Sequence, residues 1–258
     1  MQIYPIHETI QVSRLSIRKE NTFIEHKIKD VKEHSKSLEI EKRFLTIMAC
    51  HSNSPTKLKT IENNIKYFKI HNNNIIVINS KDESHSKATR EMVESQGLGY
   101  FEIPNNSHLD IGKWNHVLRN FDLTPYDYIV FTNDSFIIKG PITHFFGKMI
   151  RANVELYGYN DSTQVRYHYQ SYLFGIRKDA VFKLIRHYLS RRHLLTCYDQ
   201  VVEHIELNLT RLFNTKDCFL KIGYFQGQFE HNIFFNNDRF YKKLLKTKLL
   251  PFIKLKRL

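Results

Sequence analysis

Cysteine is scarce. Cys50, Cys197 and Cys218 are the three in 258 residues, far apart and without a C-x-x-C pair. So sparse and odd a set excludes a disulfide framework and a structural zinc site, and it suits a reducing cytoplasm with the thiols packed as small apolar groups. No apolar run approaches the roughly 18 residues of a membrane span. The opening MQIYPIHETIQVSR lacks the apolar core of a signal peptide, so a cytoplasmic location is expected. Neither G-x-G-x-x-G nor G-x-x-x-x-G-K-[ST] occurs, which removes the dinucleotide fingerprint and the P-loop. Internal repeats and low-complexity linkers are absent too.

What is present is globular in composition, 41% hydrophobic and 13% aromatic, and the length suits one large domain as well as two. The formal charge is +13, but it is unevenly spread. Residues 239–258 hold Arg239, Lys242, Lys243, Lys246, Lys248, Lys254, Lys256 and Arg257 and no acidic residue. The body has no nucleic-acid motif, and no nucleic-acid partner is expected. Residues 1–42 are charged with scattered Ile and Leu and form an N-terminal extension, either helical or extended.

From residue 43 the pattern sharpens. Phe44–Cys50 is a buried-strand run, and Lys57–Ile70 reads as an amphipathic helix through Leu58, Ile61, Ile65 and Phe68. Ile75–Ile78 is a second strand, Lys87–Ser95 a second helix ending near Gly97, and Tyr100–Ile103 a third strand. After Leu109–Trp114 a helix runs through Asn115–Asn120. This alternation implies βαβ units, a parallel sheet and right-handed crossovers. Further on, Val154–Tyr159 leads into Asn160-Asp161-Ser162, and Tyr167–Ile176 forms an aromatic strand. Lys178–Ser190 and Tyr198–Phe213 are helix candidates.

Tyr128-Ile129-Val130-Phe131 is the central apolar strand, and it stops at Thr132-Asn133-Asp134-Ser135. Ligands of open α/β sheets collect beyond the carboxyl ends of strands. A carboxylate there can hold a divalent cation against a diphosphate. A plain polar turn is the alternative for the same four residues.

Several stretches, in order, resemble the rhamnan synthesis protein F family, bacterial glycosyltransferase-like proteins of GT-A type. They are Asp110-Ile111-Gly112-Lys113-Trp114, then Tyr126–Tyr128 through Asn133-Asp134-Ser135 with Gly140-Pro141. Gly158–Ser162 follows with His168-Tyr169-Gln170-Ser171-Tyr172, then Glu206–Thr210 and Pro251–Lys254. The resemblance implies a GT-A-like α/β single domain over residues 43–238, with a Rossmann-like, mostly parallel sheet flanked by helices. It also implies sugar transfer from a nucleotide-sugar donor to a saccharide or lipid-linked acceptor in cell-surface polysaccharide synthesis. GT-A enzymes carry Asp-x-Asp where this chain reads Thr132-Asn133-Asp134, one carboxylate fewer. Asn160 stands where the family favours threonine.

The chemistry needs charge neutralisation at the diphosphate, a positioned acceptor hydroxyl and, for inversion, a general base. Asp134 is the candidate ligand of Mn²⁺ or Mg²⁺. Asp110, Lys113, Asn133 and Ser135 are candidates for the donor nucleotide. Asp110 reads equally as a first-turn helix acid, and Lys113 as a solvated surface lysine. His168, Gln170 and Ser171, lying in one aromatic strand with His168 and Gln170 on a shared face, are candidates for the acceptor. Glu206, then Glu203 on the same helix face, and Asp161 are candidates for the base, with Asp199 behind them.

The tail at residues 239–258 mixes lysines with Leu244, Leu245, Leu249, Leu250, Phe252 and Ile253. It is expected to dock on an anionic membrane surface, making the enzyme peripheral on the inner face; a helix packed on the domain is the alternative. A non-enzymatic basic protein on a degenerate transferase fold, binding an anionic membrane or nucleic acid, is the second functional class.

Overall fold

The computed structural model describes residues 43–71, 74–221 and 251–255. The expected N-terminal extension and residues 239–250 and 256–258 of the basic tail lie outside them.

Strands β1 (Phe44–Ala49), β2 (Ile75–Ser80) and β4 (Tyr128–Asn133) are buried at every position. That is the signature of parallel strands covered on both faces. β1 pairs in parallel with β2 and β4, and β2 with β3 (Gly99–Ile103). Helices α1 (Pro55–Lys69), α2 (Ser86–Glu94) and α3 (Leu109–Asn120) make the crossovers. α1 starts where Ser54 accepts a hydrogen bond from the Lys57 amide, with proline at the first helical position. After α2, Gly97 takes φ +71°, the left-handed conformation glycine adopts without strain.

Beyond β4 the sheet becomes mixed. β8 (Leu173–Arg177) runs antiparallel to β4, and β6 (Leu156–Ser162) antiparallel to β8. β9 (Lys216–Leu220) is parallel to β6, and β7 (His168–Tyr169) antiparallel to it. The strand order is β3-β2-β1-β4-β8-β6-β7, with β9 also on β6. The chain therefore has an α/β fold with a mostly parallel central sheet flanked by helices.

Two cores follow from the alternation of side chains along the strands. Phe44, Met48, Val77 and Val130 join Ile61, Ile65 and Phe68 of α1, Val93 of α2 and Phe145 and Met149 of α4 (Thr143–Ala152). Leu45, Ile47, Ile78, Ile129 and Phe131 join Ile111, Trp114 and Val117 of α3 and Leu184 of α5 (Val181–Arg191) on the other face. The helix covers are thus divided as a doubly wound sheet requires.

Three sequence expectations need correction. The aromatic strand Tyr167–Ile176 is broken at Gln170–Tyr172, where its pairing with β6 shifts register between Tyr169, opposite Asp161, and Phe174, opposite Gly158. The helix Tyr198–Phe213 is divided at Ile205 (φ −112°, ψ −65°) into α6 (Tyr198–His204) and a 3₁₀ turn, Glu206–Arg211. Glu203 and Glu206 therefore do not share one helix face.

The third concerns the tail. β10 (Phe252–Lys254) pairs antiparallel with β5 (Phe136–Ile138), directly after Asp134-Ser135. The Lys139 amide donates to Pro251 O at 2.7 Å and the Leu255 amide to Ser135 O at 3.1 Å. Phe252 is fully buried against the rings of Phe136, Tyr159 and Tyr172. It belongs to the core and is not available as a membrane anchor. Among the described residues no helix is long and apolar enough to cross a membrane.

Candidate active site

The sheet reverses its winding between β1 and β4. α1 and α2 carry the chain from β1 outward to β2 and β3, and α3 then returns it to the opposite side of β1. The crevice beyond the carboxyl ends of β1 and β4 is therefore a topological switch point, where open α/β sheets bind ligands.

Charged groups converge there from three elements. Asp134, which follows β4, is almost fully buried. Its Oδ2 accepts from the backbone amide of His51, after β1, at 2.7 Å. Its Oδ1 accepts from Lys57 Nζ of α1 at 2.7 Å, and the same ammonium donates to Asp134 O at 2.8 Å. Asp110 lies in the first turn of α3, which begins at Leu109, earlier than the sequence suggests. Asn133 joins the two carboxylates: its Nδ2 donates to Asp110 Oδ2 at 2.8 Å, while its Oδ1 accepts from the Ser135 amide and hydroxyl. Lys113 is fully buried and its ammonium donates to Asn106 Oδ1, so the solvated-lysine alternative is overturned.

Burial pushes the Asp110 carboxyl above its ordinary value and the charge on Asp134 adds to this, while Lys113, the Asn133 amide and Lys57 oppose it. The thiol of Cys50, buried under the same cluster, is raised by burial and by Asp134. Two carboxylates and two ammonium groups thus share a poorly hydrated crevice, with polar atoms of the chain meeting each.

The fit to a divalent cation is poor. Both oxygens of Asp134 are engaged, one by an ammonium that a metal would have to displace. Thr132 stands at the position of a second carboxylate, fully buried, and its hydroxyl donates to Tyr172 O at 3.1 Å. Among the described residues no group of three or more His, Cys, Asp or Glu side chains could hold a metal ion. Asp134 as the ligand of resident Mn²⁺ or Mg²⁺ is therefore not supported by the donor set.

The neighbouring part of the same edge is polar but largely uncharged. The Tyr172 hydroxyl donates to Asn160 Oδ1, and the Gln170 amide donates to Asn160 O at 3.0 Å. His168 Nδ1 donates to Arg166 O at 2.8 Å, and its Nε2 faces Gln170 Nε2 at 3.4 Å. Asn160, His168 and Gln170 are buried, as are the rings of Tyr169 and Tyr172. Ser171 lies in the turn between β7 and β8, half-buried. Gly158 is required here, since a Cβ would stand 2.8 Å from the Tyr169 ring.

The candidate bases fall in different settings. Asp161 is buried in β6, opposite Tyr169, and interacts with the Tyr167 hydroxyl. Glu203 is exposed on α6. Glu206 is half-buried at the start of the 3₁₀ turn, and Asp199 lies in the first turn of α6. The Tyr198 phenol is raised first by partial burial and then by the charges of Glu206, Asp199 and Asp110.

Lys57, His51, Asn106 and Tyr172 escape a reading of the sequence for site residues. Lys57 carries a usable signal: it lies three residues past the cap of the helix that follows β1, where a first-turn side chain reaches the strand end. The other three are placed by contacts distant in sequence.

No family model matches the chain. Virulence protein VirA of Vibrio anguillarum, and that of its strain ATCC 68554 / 775, is 34% identical over 137 residues, covering 50% of this chain and 41% of that protein. The chain thus matches less than half the length of these curated relatives. Among solved structures, a glycosyltransferase involved in glycosylation of the major capsid of PBCV-1 is 10% identical, covering 82% of this chain and 94% of its own, at TM-score 0.46. A nucleotide-diphospho-sugar transferase from Desulfovibrio desulfuricans G20, named as putative, is 12% identical, covering 70% and 80%, at TM-score 0.44. The mannosyltransferase PcManGT of Pyrobaculum calidifontis, in complex with GDP-Man and Mn²⁺, is 11% identical, covering 55% and 46%, at TM-score 0.40. All three likenesses are loose.

Proposed function

We propose that the chain is a glycosyltransferase that moves a sugar from a nucleoside-diphosphate sugar to a hydroxyl of a saccharide or lipid-linked acceptor in polysaccharide assembly. The observation that carries this reading is the Lys57–Asp134 and Asp110–Asn133 cluster at the carboxyl ends of β1 and β4, the switch point of the sheet. The ordered stretches that resemble the rhamnan synthesis protein F family support it from the sequence side.

In this reading the diphosphate lies against the β1–α1 loop and Asp134, and Asp110 accepts from a ribose or donor-sugar hydroxyl. His168, Gln170 and Ser171 orient the acceptor, and nearby aromatic faces cover the sugar ring. The acceptor oxygen attacks the anomeric carbon as its bond to the diphosphate oxygen breaks. The bonding electrons leave with the diphosphate. In an inverting reaction the hydroxyl proton passes to a base, for which Glu206 is the first candidate and Glu203 and Asp161 the others. Glu206 is preferred because it lies in Glu206–Thr210, a segment that resembles the rhamnan synthesis protein F family. Residues 239–250 and a membrane surface enter only as a site for a lipid-linked acceptor.

The test is a panel of nucleotide-sugars, read by thermal stabilisation and by nucleotide release. Ligands that bind the folded state raise its melting temperature. One or two donors are expected to stabilise the protein and to be slowly hydrolysed. A panel spanning the common nucleotides and sugars with neither effect would overturn the reading.

A further inference from the structure

We infer that the ammonium group of Lys57 does the work of a divalent cation in this site, so that the donor diphosphate binds without metal. The inference rests on the glycosyltransferase reading above.

Lys57 is the third residue of α1, and its side chain is 20% exposed beside an Asp134 side chain that is 5% exposed. An ammonium has three protons. Two are donated to Oδ1 and the main-chain oxygen of Asp134, which leaves the third for a phosphoryl oxygen. Asp134 is fixed in turn by the His51 amide. The carboxylate therefore holds a cation supplied by the chain itself, at the place where a metal would have to be held.

The remaining groups agree with this assignment. Thr132 stands where a second carboxylate would be needed, and its hydroxyl is spent on Tyr172 O. Asp110, the other carboxylate of the crevice, has Asn133 and the charge of Lys113 for company. A divalent ion entering this balanced set would have to displace the Lys57 ammonium to reach Asp134 Oδ1. The 15-residue helix α1 also begins at the crevice, and its N-terminal end favours an anion. As the anomeric C–O bond breaks, the charge gathering on the leaving diphosphate is met by Lys57.

The test is calorimetric titration of the full chain with UDP, GDP and dTDP as probes, in excess EDTA and again in Mn²⁺. Equal affinity for one of them in both conditions is expected. Lys57→Met should then weaken that binding by about 10- to 100-fold, the scale of one hydrogen bond to a charged group. Lys57→Arg, which keeps the charge, should lose less. Binding that appears only with Mn²⁺ overturns the inference and leaves the glycosyltransferase reading standing. Binding to none of the probes in either condition removes both. The wild-type comparison of EDTA with Mn²⁺ decides the matter even if Lys57→Met does not fold.

Discussion

At the carboxyl edge of the sheet, Asp134, Lys113, Asn160, His168 and Gln170 are buried, and each meets a partner within the protein. At the amino edge, Arg177 pairs with an exposed Asp179 at 2.7 Å and Lys178 donates to Thr124 O, both in contact with water, and Lys183–Glu155 is the one half-buried pair among the described residues there. The same strands end in both places, so the difference is not dictated by the fold. Burying charge costs free energy that hydrophobic replacements would avoid. In the proposed reading, an edge that keeps buried charges in spite of this is one where a ligand uses them, whereas exposed pairs add little stability.

Substitutions on the two edges should therefore behave differently. The largest loss is expected from Phe252→Ala beside the carboxyl edge, about 3–5 kcal/mol for a fully buried aromatic side chain, measured by urea unfolding. Next is Asp134→Asn, which strands Lys57 and should cost on the order of 2 kcal/mol, below the range of fully buried pairs because Lys57 keeps some water. Its nucleoside-diphosphate affinity should fall in calorimetry, and unchanged affinity would remove Asp134 from the donor site. Tyr172→Phe deletes the hydroxyl given to Asn160 and should cost about 1 kcal/mol. It should raise the acceptor KM while leaving donor affinity alone; an equal effect on both would erase the division of the edge into charged and neutral parts.

Asp110→Asn carries a pH signature. The folded state holds the Asp110 carboxyl above its ordinary 3.8, so its contribution to stability is complete below 3.8 and is lost as pH rises through the folded value. Unfolding midpoints of wild type and variant should separate as pH rises, with the wild type falling behind; a pH-independent gap would refute the assignment. The smallest effect belongs to the amino edge, where Asp179→Asn should cost no more than about 0.5 kcal/mol. A larger loss there would break the contrast between the edges.

The parallel half of the fold is legible because β1, β2 and β4 are continuous apolar runs and α1 has a serine cap and proline at its start. α4 gives no such signal: Ile142 precedes it without a capping side chain. β9 is short and half-exposed, and nothing in its five residues distinguishes strand from loop. The cluster of Asp110, Asn133 and Asp134 is visible as residue types at strand ends and helix starts. The partnership of Asp134 with Lys57 is not, since it depends on how α1 is seated over β4. The division of Tyr167–Ile176 also depends on distant partners, β6 for both pieces and β4 for the second alone, and periodicity within a segment carries no record of them.

β5 is held on one side by Asn64 of α1, whose amide bonds the backbone of Phe136 and Ile138, and on the other by β10. The parallel sheet can assemble as soon as β4 has been synthesised. The flank of β5 next to Asp134 stays open until Pro251–Leu255 arrive, after all the strands of the mixed half. An unpaired strand flank is a template for another chain. A ribosome-bound or clipped chain lacking these five residues would thus present an adhesive edge beside an unfinished site, and aggregation during expression is the failure to expect when this segment is removed.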